Sequence, residues 1–416
     1  SAGQRCSALR MLYLQDDVAD GILEMLRGAM DALRLGDPWD LSTDVGPVID
    51  REAQTDLLAY CDRMAAEGRL VHRLDAPETG LFVPPALFRV SGIEALEREV
   101  FGPILHVATY RADTIDAVIE AINAKGYGLT FGLHTRIDDR VQHVVDRIEA
   151  GNIYVNRNQI GAIVGSQPFG GEGLSGTGPK AGGPFYVRRF ARPKPNGKVT
   201  GGSDRRIYEG RLLSRADLQA AVDSVSTGPR AAGSGIAHRT ATVAGRLGIG
   251  MEPDLDRLVE ARRSGIELPG PTGESNRLWL YPRGVILCVG DDPDRVLESA
   301  LSALYLGNAV VALLPMADRV ATAQGMIGEA GLAARFLDGR AEADEIAAVS
   351  GLAGVFAQYE DTALARLRQA LAAGDGPILQ PVVPGDAPIR LMLERHVCVD
   401  TTAAGGNASL MTAAEA

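Results

Sequence analysis

Cys6 stands in the run Gly3-Gln4-Arg5-Cys6-Ser7-Ala8, flanked by an arginine and small polar residues in what reads as a turn. A thiol in that setting can serve as a nucleophile, because a neighbouring cation and an open turn favour the reactive thiolate. The alternative is a small buried hydrophobe, the ordinary fate of a lone cysteine. Cys61, on the apolar stripe of a helix, and Cys288, inside a buried strand pattern, are read that way. Two further segments strengthen the case for chemistry at Cys6. One is Arg98-Glu99-Val100-Phe101-Gly102-Pro103, and the other is the glycine-rich run from Gly161 and Ala162 through Gln167 and Phe169 to Gly171. Taken alone, Glu99 reads equally as a solvated charge beside Glu94, Glu97 and Arg98, and Phe169 as a core aromatic beside a turn. Gly171-Glu172-Gly173-Leu174-Ser175-Gly176 satisfies G-x-G-x-x-G, yet no strand closely precedes it and no helix pattern follows, so a dinucleotide reading fails there. The six histidines show no ligand spacing, and no metal is assigned.

The elements that must position these residues alternate between helix and strand patterns. Apolar residues at Val18, Ile22, Met25, Leu26, Met30 and Leu33 recur at helical spacing and stop at Gly36-Asp37-Pro38. A second stripe runs through Leu57, Leu58, Cys61, Met64 and Ala65, and others lie around 115–122 and 141–148. Strands are expected at 80–83, 104–110, 152–155 and 185–190, the last as either an intersubunit edge or an internal strand. Residues 191–204, with two prolines and three glycines, form the best linker candidate. Beyond it, Ser214-Arg215-Ala216-Asp217 resembles a capping box opening a helix. A buried strand at 284–290, a helix at 294–306 and another strand at 309–314 follow. The small, polar stretch 401–416 is either a disordered tail or a segment that docks on a partner surface. The fold class is α/β, with a largely parallel sheet.

In their order along the chain, GQRCSA, the Glu99–Phe101 segment and the Gly161–Gly171 loop resemble the nucleophile, nicotinamide-ribose and substrate-loop segments of the aldehyde dehydrogenase superfamily. Thr43–Pro47 and Tyr127–Gly132 resemble it at the expected places too. The run GAIVGSQPFGGEGLSGTGPKAGGPFY from Gly161 is similar to the aldehyde-anchoring loop of L-glutamate γ-semialdehyde (pyrroline-5-carboxylate) dehydrogenases. It is most similar to the version in the bifunctional proline utilization A family. The resemblance implies Cys6 as catalytic nucleophile and Glu99 and Phe101 as NAD-binding residues. It also implies Ser7, Gly161 and Ala162 as holders of the substrate α-carboxylate, with Phe169 packing its aliphatic part. Backbone N–H groups and a hydroxyl suit an anion without a cation, and a carboxylate suits two ribose hydroxyls.

In that family the oxyanion asparagine, the general base and most of the NAD-binding domain precede the nucleophile. Only five residues precede Cys6, so the expectation is the C-terminal portion of a longer, cytoplasmic polypeptide, inactive alone and forming a homo-oligomer. An FAD-dependent proline dehydrogenase would lie upstream. The expected organisation is a partial aldehyde dehydrogenase catalytic domain over 1–190, a linker over 191–204, a non-catalytic Rossmann-like domain over 205–400 and a tail over 401–416. The second domain resembles a coenzyme domain from Pro282 to Pro377. Its departures, Leu313-Leu314-Pro315 and Phe356-Ala357-Gln358-Tyr359, lose a cation and a close-approach glycine, so it is expected not to hold NAD. A different aldehyde with a distal anion remains an alternative substrate. A structural module for assembly or tunnel closure remains an alternative role for 205–416.

Composition bounds these readings. The 416 residues carry a formal charge of −11, with 46% hydrophobic and 23% charged residues, ordinary for two or three soluble globular domains. An acidic surface argues against nucleic acid as partner. No apolar run reaches the ~18–20 residues of a spanning helix, and four scattered cysteines without CxxC suggest neither a disulfide framework nor a zinc site.

Overall fold

The computed structural model describes residues 1–190, 211–225, 235–252, 254–383 and 388–402. They form two compact units, the first holding Ser1–Glu149 and Asn156–Gly161, the second Ala150–Val155 and the described residues from Ala162 onward.

In the first unit, strand β1 (Met11–Gln15) leads directly into helix α1 (Asp16–Asp31). Helix α2 (Arg51–Ala66) starts at Asp50, whose carboxylate accepts the N–H of Ala53. Strands β2 (Leu70–Arg73), β3 (Ala86–Arg89) and β4 (Ile104–Tyr110) complete a sheet in the order β1-β4-β3-β2. β4 runs parallel to both β1 and β3, whereas β2 is antiparallel to β3. Side chains alternate across a strand. Accordingly Leu14, Leu87 and Val107 pack with Ala19, Leu23 and Met30 of α1, while Ala86, Phe88, Ile104 and Ala108 pack with Leu57, Cys61 and Met64 of α2. Helix α3 (Ile115–Ala124), strands β5 (Tyr127–Gly128) and β6 (Thr130–Leu133) and helix α4 (Asp138–Arg147) follow. The strand expected at 80–83 does not form. Pro84 and Pro85 lack the N–H groups a ladder needs, and pairing moves to β2 and β3 on either side.

The second unit opens with β7 (Asn152–Val155) and β8 (Glu172–Gly173). Helices α5 (Arg215–Ser224), α6 (Ile236–Leu247) and α7 (Asp254–Ser264) precede β9 (Ile266–Leu268) and the long strand β10 (Glu274–Pro282). The capping box at Ser214 is present, its hydroxyl taking the Asp217 N–H and the Asp217 carboxylate taking the Ser214 N–H. Then come β11 (Val285–Gly290), α8 (Pro293–Tyr305), β12 (Ala309–Leu314), α9 (Ala317–Glu329), β13 (Ala334–Asp338), α10 (Ala343–Ala347), β14 (Leu352–Gln358), α11 (Asp361–Ala372) and β15 (Met392–Asp400). β11–β14 form an all-parallel sheet in the order β13-β12-β11-β14. α8 with α6, α7 and α9 covers one face and α5 with α11 the other, which is why β12 is buried along its whole length. A second sheet carries β7-β15-β10-β9, with β15 parallel to β7 and antiparallel to β10.

Residues 185–190 are not a strand. Val187–Phe190 form one 3₁₀ turn, closed by the Tyr186 N–H to Gly183 and the Arg189 N–H to Tyr186. Tyr186 and Phe190, four apart, meet edge to face with centroids 5.4 Å apart. The apolar run thus follows a helical repeat, and no strand edge exists there to pair between subunits. By contacts, the compact units part at 150–162. Residues 150–155 and 162–190 are tied into the second unit by β7 on β15 and by hydrogen bonds from Gln167 to Glu274 and from the Lys180 N–H to Glu394. The expected linker at 191–204, and all but Thr401 and Thr402 of the expected tail, lie outside the described residues.

Candidate active site

The Cys6 segment is a chain of turns between Ser1 and Ala8, closed by the Gln4 N–H to Ser1 and the Ala8 N–H to Arg5. Gly3 sits at φ +68°, and a Cβ there would lie 2.0 Å from the Gly102 carbonyl oxygen, so only glycine lets the turn rest on the Glu99–Pro103 segment. Cys6 is exposed and Ser7 is buried. Gln159, two residues before Gly161, donates to the Ser7 carbonyl at 3.3 Å and ties the approach of the glycine-rich loop to this turn.

Arg10 organises the rest, and sequence reasoning missed it. Its guanidinium donates to the carbonyls of Ala8 (2.9 Å) and Arg5 (2.8 Å), bracketing Cys6. The same group lies 3.3 Å from Glu99 Oε1 and 4.1 Å over the Phe101 ring. One planar fork therefore joins the Cys6 turn to the Glu99 carboxylate and the Phe101 ring, which a lysine could not do. Burial draws the Arg10 guanidinium below its ordinary range, while Glu99 and Cys6 act the other way. The Arg10 carbonyl is held in turn by His106, which is fully buried. Nδ1 donates to it (2.9 Å), leaving Nε2 to accept the Tyr60 hydroxyl (2.7 Å). Burial lowers the His106 pKa, so the ring stays neutral in this role. A cation four residues after Cys6, at the mouth of an apolar strand, was the available signal.

Glu99 is 48% exposed and Phe101 40% exposed, both presenting polar or aromatic surface outward. Gly161 is exposed at φ +84° with open space where a Cβ would stand, so its glycine serves backbone conformation. Cys6, Ser7, Glu99, Phe101 and Gly161 belong to the first unit; Ala162 and Phe169 belong to the second. Ala162 is exposed and Phe169 half-buried. Phe169 pairs with Ala181 through both backbone hydrogen bonds, each 2.9 Å. Below that pair lies a buried charged cluster absent from the sequence reading. Lys180 packs near Glu394 and Glu172, and Arg395 makes a two-pronged contact with Glu172.

Burial pulls the Lys180 ammonium down to about 7, against the opposing pull of Glu394 and Glu172 and with Arg395 adding to the burial effect. An unfolded lysine titrates near its ordinary value, so between about pH 7 and 10 the unfolded chain binds a proton that the folded one does not. Stability then rises with pH across that window. Lys180→Met removes this contribution. The Tm difference between wild type and variant should move in favour of wild type from pH 7 to pH 10, and a pH-independent difference would contradict the assignment.

Within the parallel sheet of the second unit, Gln358 at the end of β14 is bonded into the first turns of α8. The Gln358 amide donates to the Arg295 carbonyl (2.8 Å) and to the Ser299 hydroxyl. A Cβ on Gly290 would lie 2.6 Å from the Gln358 Cβ. The first N–H groups of α8 are taken by the Asp292 carboxylate, which leaves them unavailable to a phosphate. The Gly171–Gly176 motif leads from β8 into turns, with no helix after it. Among the described residues no group of three or more His, Cys, Asp or Glu could hold a metal, and no helix is long and apolar enough to cross a membrane.

Residues 1–195 match the Aldehyde dehydrogenase family, and this segment is an aldehyde dehydrogenase domain. At a finer level, the chain is 41% identical over 432 residues to the bifunctional protein PutA of Escherichia coli K12, across 99% of this chain and 31% of that protein. It is 38% identical over 189 residues to a 1-pyrroline-5-carboxylate dehydrogenase of Geobacillus sp., covering 45% of this chain and 36% of that enzyme. A crystal structure of Bradyrhizobium japonicum proline utilization A is 58% identical, with a TM-score of 0.45 over 46% of this chain and 20% of that one. The chain thus spans about a third of the length of its curated PutA relatives.

Proposed function

We propose that this chain carries the nucleophile portion of an L-glutamate γ-semialdehyde dehydrogenase, within a cytoplasmic bifunctional polypeptide that also holds an FAD-dependent proline dehydrogenase. The observation that carries the reading is the Arg10 guanidinium, which holds the Cys6 turn, Glu99 and Phe101 in one cluster.

Cys6 Sγ attacks the aldehyde carbon and forms a thiohemiacetal. Loss of hydride converts this to a thioester, and water then releases glutamate and regenerates the thiol. Bound NAD supplies the hydride acceptor. Glu99 suits it by accepting from ribose hydroxyls and Phe101 by offering a ring face, both being open to solvent. The family resemblance assigns the α-carboxylate to Ser7, Gly161 and Ala162 and the aliphatic chain to Phe169. The second half acts in assembly or tunnel closure within a homo-oligomer. Gln358 bonded to α8 and the Asp292 carboxylate on its first N–H groups support a role without NAD.

The test is discrimination between aldehydes. In the polypeptide that carries this chain, kcat/KM for glutamate semialdehyde should exceed that for succinate semialdehyde at least about tenfold, since the carboxylate of succinate semialdehyde sits one carbon nearer the aldehyde and falls short of the donors at Ser7, Gly161 and Ala162. Equal or inverted values would assign the site to another anionic aldehyde.

A further inference from the structure

We infer that Asn152 and Lys180 are positioning residues for Phe169, forming a buried clamp on the backbone to either side of its ring; the inference rests on the proposed role of Phe169 against substrate. Asn152 is fully buried in β7. Its amide N–H donates to the Pro168 carbonyl at 2.8 Å, and its Oδ1 accepts the Gly170 N–H at 3.1 Å. Lys180, also buried, donates from Nζ to the same Oδ1 at 2.9 Å and to the Gly170 carbonyl. With both polar groups of Phe169 on Ala181, every backbone donor and acceptor from the Pro168 carbonyl to the Gly170 carbonyl is bonded.

Phe169 itself is half-buried, so a wholly fixed backbone sets where its ring is held. Gly151 is part of the device. A Cβ there would lie 2.0 Å from the Gly170 carbonyl oxygen and 2.7 Å from Lys180 Nζ, in the space the clamp occupies. Burying an ammonium is unfavourable compared with a methionine of similar volume, even with Glu394 and Glu172 nearby. What the lysine adds is direction, because it orients the Gly170 carbonyl, which a hydrocarbon would leave unpaired, and the Asn152 amide oxygen, which would keep only the Gly170 N–H.

The experiment is steady-state kinetics on Lys180→Met, Phe169→Ala and the double variant, in the polypeptide that carries this chain. Lys180→Met should raise KM for glutamate semialdehyde roughly tenfold, with kcat and KM for NAD within about twofold. In the Phe169→Ala background the same substitution should raise KM no further, because the clamp then has no ring to place. A proportional loss of all parameters, or an undiminished rise in the Phe169→Ala background, would overturn the clamp. Phe169→Ala with unchanged KM would instead overturn the role of Phe169, and the clamp with it. If Lys180→Met does not accumulate as folded protein, Asn152→Asp decides. It keeps the oxygen facing Gly170 and Lys180, replaces the donor to Pro168 with an oxygen that repels that carbonyl, and should raise the aldehyde KM about threefold while sparing kcat; an unchanged aldehyde KM counts against the clamp.

Discussion

Cys6→Ala, made in the polypeptide that carries this chain, should lower oxidation of L-glutamate γ-semialdehyde by about 10⁴-fold or more and leave proline oxidation unchanged. The size follows from the covalent route, since loss of an enzyme's nucleophile removes the reaction path and not merely one contact. No other thiol of the chain can substitute. Cys61, Cys288 and Cys398 are buried, and only Cys6 is exposed. Burial pushes the Cys61 thiol up to about 11 and the Cys288 thiol higher still, which holds both in the unreactive protonated form. The measurement is NADH formation from semialdehyde beside dye reduction by proline in the same preparation. Residual semialdehyde oxidation within tenfold of wild type would move the nucleophile elsewhere. Parallel loss of both activities would indicate misfolding of the polypeptide.

Much of the fold is legible because burial imposes period. The stripe from Val18 to Leu33 becomes α1, that from Leu57 to Ala65 becomes α2, and the run at 309–314 is β12 itself. β15 escapes such reading. Glu394, Arg395 and His396 stand in its middle, and three polar residues in a row do not look like an interior strand. All three are buried because their partners come from distant segments: Lys180 for Glu394, Glu172 for Arg395 and Asn276 for His396. Chain-remote pairing is invisible to a local pattern.

The site divides in the same way. A cysteine in a turn, a carboxylate two residues from a ring and a glycine-rich loop announce themselves by type. Arg10, Asn152 and Lys180 do not, since an arginine or lysine in sequence is ordinarily a solvated charge. Their function depends on which carbonyls the folded chain turns toward them. Arg10 reaches two carbonyls within five residues, whereas Lys180 depends on Gly151 leaving room and on β15 bringing Glu394 alongside.

Arg10→Ala should be the most damaging change outside the reacting groups, lowering kcat by about 10²-fold and raising KM for NAD several-fold. The Arg10–Glu99 contact is too exposed for its loss to matter much to stability, with Glu99 nearly half open to solvent. The effect therefore falls on geometry. Without the guanidinium, the carbonyls of Arg5 and Ala8 lose their common donor, and the turn carrying Cys6 is free to shift. A displacement of about 1 Å at a reacting atom is enough for a hundredfold loss. Glu99 and Phe101 lose the group that sets their spacing at the same time, so the cofactor term moves together with kcat. Arg10→Lys separates charge from shape. It restores a cation but cannot span two carbonyls, a carboxylate and a ring at once, so it should recover less than about tenfold of the loss. The checking measurement is kcat and KM for NAD in all three proteins, with Tm as a control for folding. An Arg10→Lys enzyme equal to wild type would show that charge alone is required. An Arg10→Ala enzyme with normal kcat would show that the turn holds Cys6 without help.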